Sequence, residues 1–250
     1  MAVVLVAVAA NIDAGRRFIE QETASLTGGI VRIQGLSGRF PDALRAEQIQ
    51  VSDFKGPYVT ITGLVLDWSP LKLVRRIAQI DQLRADHLEF SRLPESETHT
   101  TSRTSSSFEL PVQVDLRHLH IDEAVIVEAV AGAGATLALD GSADLPTLTE
   151  GTIQLDANRL DSPGHYTVNG RVTSNAIQAT VHADEPAKGL ISAIAHLPDL
   201  GAIAIQASVG GPRDALGTQV GITAGELTAS ATGTVDLKHE AADMAVKAQA

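Results

Sequence analysis

Hydrophobic and polar residues alternate with a period of two along most of this chain. The clearest segments are PVQVDL, TLALDG, TIQLDAN, YTVNGRVTS, AIAIQASV, TQVGIT and TGTVDLK, preceded by EQIQVSD and YVTITGLVLDW. Such alternation over short segments predicts β-strands with one buried face. Asp140-Gly141, Pro163-Gly164 and Asn169-Gly170 predict tight turns or bulges. Because helices do not alternate with the strands, the sequence predicts a mainly β protein, an elongated antiparallel β-meander.

The longest alternating segment, residues 58–68, predicts which side chains share a face of the sheet. Regular alternation divides its apolar side chains between two faces. The two sets are Val59, Ile61 and Val65 on one face and Leu64, Leu66 and Trp68 on the other.

Three short helical segments interrupt the predicted strands. The first is AGRRFIEQETASL, and the third is PAKGLISAIAHLPDL, whose apolar residues recur at helical spacing. The second is predicted over residues 69–77, directly after Trp68, the only tryptophan. We expect Ser69 to cap the free backbone amides and Pro70 to occupy the first helical position, where its missing N–H costs nothing. A large ring beside this helix start predicts a plug that caps one end of a β-layer.

The chain divides into four predicted regions. Residues 1–27 begin with MAVVLVAVAA, an apolar run of about half the length that a bilayer crossing needs. This run is either the remnant of a truncated signal anchor or a buried β-strand. The absence of alternation and the helical pattern that follows favour the anchor. The Ser/Thr-rich stretch 94–107 predicts an exposed linker between a β-rich head, 28–93, and a longer β-segment, 108–250.

Charge and cysteine content narrow the classes of function. The formal net charge of −11 argues against a nucleic-acid partner, because neutralising phosphates requires clustered Lys and Arg. The chain has no cysteine, which excludes disulfides, thiolate metal sites and Cys nucleophiles. This composition leaves the compartment open, since a periplasmic chain can avoid thiols.

Candidate catalytic and metal-binding patterns are weak. His118, His120 and Asp122 alternate as a metal site on one strand would require, but the apolar pattern slips near Arg117. A bulge there is expected to turn the His pair toward solvent. The Gly35–Gly38 stretch lacks the spacing of a nucleophile elbow, and the glycines at 132 and 134 lack the dinucleotide fingerprint. We therefore expect no enzyme activity, no cofactor and no metal.

The aliphatic side of the predicted strands is the strongest candidate for a functional surface. A single convincing amphipathic helix follows the linker, so we expect much of this side to stay uncovered. Curving the sheet would fold the side inward into a trough suited to acyl chains. The predicted lining residues are Val112, Val114, Leu137, Leu139, Ile153, Leu155, Ile203, Ile205, Val235 and Leu237.

Several segments resemble the TamB family, the inner-membrane subunits of the translocation and assembly module, within the AsmA-like group. The most specific are Gly35-Leu36-Ser37-Gly38 with Phe40-Pro41, the strands Ile49–Asp53 and Tyr58–Trp68, and the junction Trp68-Ser69-Pro70-Leu71. The later stretches EPAKGLISAIAHLPDL and ATGTVDLKHEAADMAV are also similar to proteobacterial members. The anchor is incomplete, and the family's long β-rich body and C-terminal domain are absent. The chain therefore resembles either a fragment of such a protein or a mis-started gene product.

The resemblance implies a groove protein of the cell envelope, with a single-pass inner-membrane anchor and its bulk in the periplasm. Trp68, Ser69 and Pro70 would then cap one end of a taco-like β-groove that conducts or holds phospholipid acyl chains. A second hypothesis is a scaffold that helps an outer-membrane barrel protein of the TamA type to insert other barrels, using exposed strand edges. A third is a secreted, adhesin-like β-repeat protein with a fully packed interior. The sequence does not choose between the first two.

Overall fold

The fold is mainly β. A computed structural model of the protein describes residues 12–95, 113–147, 149–196 and 201–249, and these form one fourteen-stranded sheet. The strands are β1 (Val31–Gln34), β2 (Ser37–Arg39), β3 (Ala43–Asp53), β4 (Gly56–Trp68), β5 (Ile77–Phe90), β6 (Gln113–Ile126), β7 (Ala135–Leu145), β8 (Gly151–Arg159), β9 (His165–Val172), β10 (Ala176–Glu185), β11 (Ile203–Pro212), β12 (Leu216–Ala224), β13 (Leu227–Asp236) and β14 (Ala241–Gln249). The helices are α1 (Asp13–Leu26), α2 (Glu128–Ala131), α3 (Leu190–Ile194) and a 3-10 helix (Pro70–Arg75).

The order of strands in the sheet follows the chain. From β3 to β14 each strand pairs with the next, while β1 and β2 both pair with β3. The sheet is open, because β1 and β14 lie at opposite ends and do not pair with each other. The predicted meander of successive strands is confirmed in this respect.

One pair of strands is parallel, which the predicted all-antiparallel meander did not include. β5 and β6 run in the same direction, with Ile77 opposite Gln113 and Phe90 opposite Ile126. A parallel pair requires a connection that returns the chain to the starting edge, roughly 45 Å for strands of this length. The polar stretch 94–107 belongs to that connection, and residues 96–112 lie outside the described part of the chain. The sheet therefore runs without a break across the predicted boundary between head and β-segment.

The strict alternation predicted for residues 58–68 is wrong, because β4 changes face at Gly63. This glycine has φ +65°, and Ile61 and Leu64, three residues apart, both pack against the hydrophobic core. The neighbouring strand β5 does the same, with Ala85 buried and Leu88 packed against the same core. On β6 the register shifts twice, between Leu116 and Leu119 and between Ile121 and Ala124. Bulges of this kind reverse side-chain parity.

The first of these β6 shifts is the slip predicted near Arg117. The second shift, beyond Ile121, has no counterpart in the sequence prediction. No cluster of His, Cys, Asp or Glu among the described residues has the geometry of a metal site.

The tightest core lies where α3 packs on the sheet. Leu190 of α3 meets the buried side chains of Ala85, Ile121, Ala124, Ala135 and Leu137, which come from β5, β6 and β7. The third predicted helix is therefore present but much shorter than PAKGLISAIAHLPDL. Its buried face also differs from the apolar face that helical spacing predicts, because Leu190 and Ser192 are buried and Ile194 is exposed. Leu197, the other end of the predicted apolar face, lies outside the described residues.

The N-terminal helix α1 lies beside the first strands. Arg16 donates a hydrogen bond to the Gly38 carbonyl, and the Leu36 backbone N–H donates to Glu20. Within the four described ranges, no helix is long and apolar enough to cross a membrane. Residues 1–11, which carry the predicted signal anchor, lie outside the described part of the chain.

The junction after Trp68 differs from its prediction in two ways. The helix is a 3-10 helix over Pro70–Arg75, and Ser69 makes no side-chain capping bond to it. The Ser69 hydroxyl instead donates to Asp81 at 3.4 Å, while Pro70 does stand at the first helical position. Trp68 is half-buried rather than fully enclosed, and its indole N–H donates to the Pro41 carbonyl at 2.6 Å.

Candidate functional site

One face of the sheet is apolar from β3 to β14. Directly opposed residues on neighbouring strands share a face, so the register traces rows of side chains across the sheet. One such row is Leu44, Leu66, Leu83, Leu119, Gly141, Leu155, Val168, Val181, Ala207, Val220, Ala231 and Val246. Every member is an aliphatic residue or glycine. We call the side of the sheet that carries this row the apolar face.

The predicted lining residues lie largely on this face. Seven of them lie on the same side of their strands as the row member of that strand. These are Val114, Leu137, Leu139, Ile153, Ile203, Ile205 and Val235. Leu237 follows the end of β13 and is exposed. Val112 lies outside the described residues. The register thus brings most of the predicted set together, and their contact with lipid stays a prediction.

The opposite face is polar. The adjacent row on that side is Arg84, His120, Asp140, Asp156, Thr167, His182, Gln206, Gly221, Ser230 and Lys247. His120 lies between two carboxylates, 2.6 Å from Asp140 and 2.9 Å from Asp122. These contacts, Asp140 first, raise the pKa of the imidazole above its ordinary value. The sheet is therefore amphipathic across its full width.

The apolar face is covered at one edge and open in its middle. Near α3, Leu137 is 7% exposed and Ile203 is 4% exposed. On the strands between them, β8, β9 and β10, and further from α3, Ile153 is 45%, Val168 36% and Val181 37% exposed. Apolar side chains of this size at the centre of a sheet face are usually covered by a second layer.

A buried polar cluster holds α3 against the covered edge. The Tyr166 hydroxyl donates to Glu185 at 2.9 Å, and the backbone N–H of Ser192 donates to the same carboxylate at 3.1 Å. Burial, followed by the hydrogen bond to Glu185, raises the pKa of Tyr166 to about 12. Glu185 is itself buried on the apolar face, opposite Ile203. This cluster is not predictable from the sequence, in which Glu185 is one of several acids at strand ends.

Arg213 connects three turns at the other edge. Its guanidinium donates to the carbonyls of Thr149, at 3.3 Å, and Thr173, at 3.0 Å. These turns follow β7, β9 and β11, so the outer two would be roughly 19 Å apart in a flat sheet. One side chain reaches both carbonyls only because the sheet bends at this edge. The sequence gives no signal for this contact, since Arg213 stands in an ordinary turn.

Comparison with known proteins adds nothing to this geometry, since no family model, no curated protein and no solved structure matches the chain.

Proposed function

We propose that this protein is an inner-membrane-anchored, periplasmic protein of the cell envelope whose curved sheet forms a taco-like groove for phospholipid acyl chains. The continuous apolar row from Leu44 to Val246 is the observation that carries the proposal. It supplies an unbroken aliphatic path across twelve strands, of which the middle is exposed. Burial of acyl chains on such a path is favourable in proportion to the apolar area removed from water.

Two contacts support a curved sheet, and the first of them sets the direction toward the apolar face. Leu190, in the connection between β10 and β11, packs with residues of β5, β6 and β7 on that face. Arg213 draws together turns that a flat sheet would separate. A sheet bent toward its apolar face shelters the aliphatic row from water. It leaves an open groove that runs across the strands from β3 to β14.

The chemistry of the face fits an acyl chain better than a polar metabolite. Leu, Val, Ala and Gly line the central row, and no charged side chain interrupts it. A linear hydrocarbon needs no hydrogen-bond partner, so a path without polar anchors holds it and lets it slide. Charges on the polar face would remain in water.

Photo-crosslinking tests this proposal with a matched control. A benzophenone-bearing amino acid in place of Val181 would lie on the apolar face, and one in place of Thr180 would lie on the polar face of the same strand. We expect phospholipid adducts at position 181 after irradiation in cells, with few or none at position 180. Equal yields at both positions, or no lipid at either, would rule out a lipid path on this face.

The free edge of β14 favours a second function, assembly of outer-membrane barrels with a TamA-type partner. In the described residues β14 pairs only with β13, and most of its residues are exposed. An unpaired strand edge adds a further strand through main-chain hydrogen bonds. Proline at successive β14 positions, such as Ala245→Pro and Val246→Pro, tests this function. Where the replaced N–H faces the free edge, the fold should persist while pairing with a barrel strand is lost.

A further inference from the structure

The 3-10 helix Pro70–Arg75 and the following Arg76 form an exposed tip on the edge where β4 ends and β5 begins. Leu71 is 84% exposed and Val74 is 87% exposed, and Lys72, Arg75 and Arg76 are exposed as well. Exposed aliphatic side chains that stand among cations are typical of segments that lie in the headgroup region of a bilayer.

The helix type arranges these side chains into separate columns. In a 3-10 helix, residues three apart eclipse each other. Leu71 and Val74 therefore stack in one column, and Lys72 and Arg75 lie in the next. An α-helix would rotate each pair apart, so the 3-10 geometry itself creates an apolar ridge beside a basic ridge. The Lys72 ammonium also donates a hydrogen bond to the amide oxygen of Gln79, which leaves its charge without an acidic partner among the described residues.

The local charge is opposite to that of the whole chain. Residues 70–76 contain three cations and no acid, whereas the chain carries a formal net charge of −11. The nearby acid Asp81 is already engaged, since it accepts hydrogen bonds from Gln79 and Arg117. Asp42, at the same edge, pairs with Arg39. The tip thus offers positive charge to a partner with a negative surface.

The size of the tip favours a lipid surface over a folded protein. Stable protein interfaces bury about 800 Å² on each partner, far more than the three aliphatic side chains of this turn provide. A bilayer interface accepts a few aliphatic side chains, and anionic headgroups add about fivefold in affinity for each nearby cation.

The start of α1 lies at the same edge. Arg16, near the start of α1, bonds to Gly38 of β2, and β2 pairs with the first residues of β3. The same end of β3 pairs with the end of β4, directly before the tip. The start of α1 is therefore held at the edge of the sheet that carries the tip.

We infer that residues 70–76 dock on an anionic lipid bilayer, with Leu71 and Val74 inserted between headgroups and Lys72 and Arg75 paired with lipid phosphates. This contact rests on the proposed membrane location, but it does not require lipid carriage by the apolar face. It would set the strand edge at the bilayer surface and orient the sheet on it.

A local fluorescent probe tests the contact in the full chain. The chain has no cysteine, so Val74→Cys accepts a single environment-sensitive dye, and Ile194→Cys on α3 provides an exposed aliphatic control at the opposite edge. With vesicles of phosphatidylcholine and phosphatidylglycerol, we expect a blue shift at position 74 and none at position 194. With the label at position 74, Lys72→Gln and Arg75→Gln should each weaken binding about fivefold, and the pair about 25-fold.

Each other outcome overturns the inference in a different way. Vesicle flotation of the chain without a shift at position 74 places the membrane contact elsewhere and leaves the proposed location standing. Loss of flotation altogether removes both the location and the contact. An equal shift on pure phosphatidylcholine eliminates the anionic partner, and a concentration-dependent shift without vesicles indicates contact between protein chains.

Discussion

The strands β3–β7 and the strands β11–β14 build the same apolar face by different means. In β3–β7 the face carries bulky residues, its strands change parity at Gly63 and at the β6 bulges, and α3 covers part of it. In β11–β14 the registers run without a shift, and small residues such as Ala207, Ala229 and Ala231 replace the larger ones.

The difference shows how one sheet can be both stable and open. Bulges increase local twist and bend, which lets the large side chains of β3–β7 converge on Leu190. Regular strands with small side chains leave less apolar surface to cover. The apolar face of β11–β14 can therefore stay in contact with water at a lower cost. The region between them, around Ile153 and Val181, combines regular strands with exposed aliphatics.

The largest expected effect is the loss of stability when a charge is placed on the covered part of the apolar face. The same charge on the open part should cost much less. Ile203→Asp should destabilise the fold by about 3–5 kcal/mol, because the new carboxylate would be buried without a partner. It would also face the buried Glu185 across the strand pair. Ile153→Asp should cost less than about 1 kcal/mol, since its side chain is already 45% exposed. Thermal unfolding followed by circular dichroism measures both.

The same pair of variants separates a groove from a packed sandwich. If Ile153→Asp collapses the fold as Ile203→Asp does, the middle of the face is covered in solution and the contrast between the two parts disappears. In the lipid proposal, Ile153→Asp should remain folded and lose the lipid adduct at position 181, because a passing acyl chain would have to strip water from the carboxylate.

Truncation of aliphatic side chains gives the next effect. Leu137→Ala should lower the free energy of unfolding by about 2–5 kcal/mol, because it removes contacts within the covered cluster. Val181→Ala, on the open part, should cost less than about 1 kcal/mol. Urea denaturation provides the comparison, and similar losses for the two variants would contradict the division into covered and open parts.

Glycine substitution tests the change of face at β4. Gly63→Ala should cost about 1–3 kcal/mol, since the residue has φ +65° and its new Cβ would come within 3 Å of the Asp86 side chain. Gly170→Ala is the control on the regular strand β9, where a Cβ would meet no atom within 4 Å. A Gly63→Ala protein as stable as the wild type would show that β4 does not need the left-handed residue.

The smallest expected effect depends on pH and belongs to the polar face at β6. Because the folded-state pKa of His120 is raised by Asp140 and Asp122, its contribution to stability is fully present below about pH 6.5, the ordinary histidine value. The contribution is lost as pH rises through the raised pKa. The stability difference between wild type and His120→Gln should therefore be larger at pH 5.5 than at pH 8.5. In a His120→Gln background, Asp140→Asn should remove little more, and a pH-independent gap would contradict the pairing.

Much of the fold was predictable because strand alternation and turn residues are local signals. The strands around TIQLDAN, YTVNGRVTS and AIAIQASV lie where the pattern placed them, and residues such as Ile153 and Leu155 share one face as alternation requires. The helix faces were less predictable, since α3 takes its orientation from the sheet beneath Leu190 and from Glu185.

The sequence by itself determined the mainly β class, the succession of strands and the amphipathic alternation, because each depends on neighbouring residues alone. Only the tertiary structure decided the parallel pairing of β5 with β6, the change of face at Gly63, and the bend that lets Arg213 reach Thr149 and Thr173. Register and curvature depend on contacts between residues far apart in the chain. A shift of one residue in the pairing register moves every side chain of a strand to the opposite face of the sheet, and no local sequence pattern specifies that register.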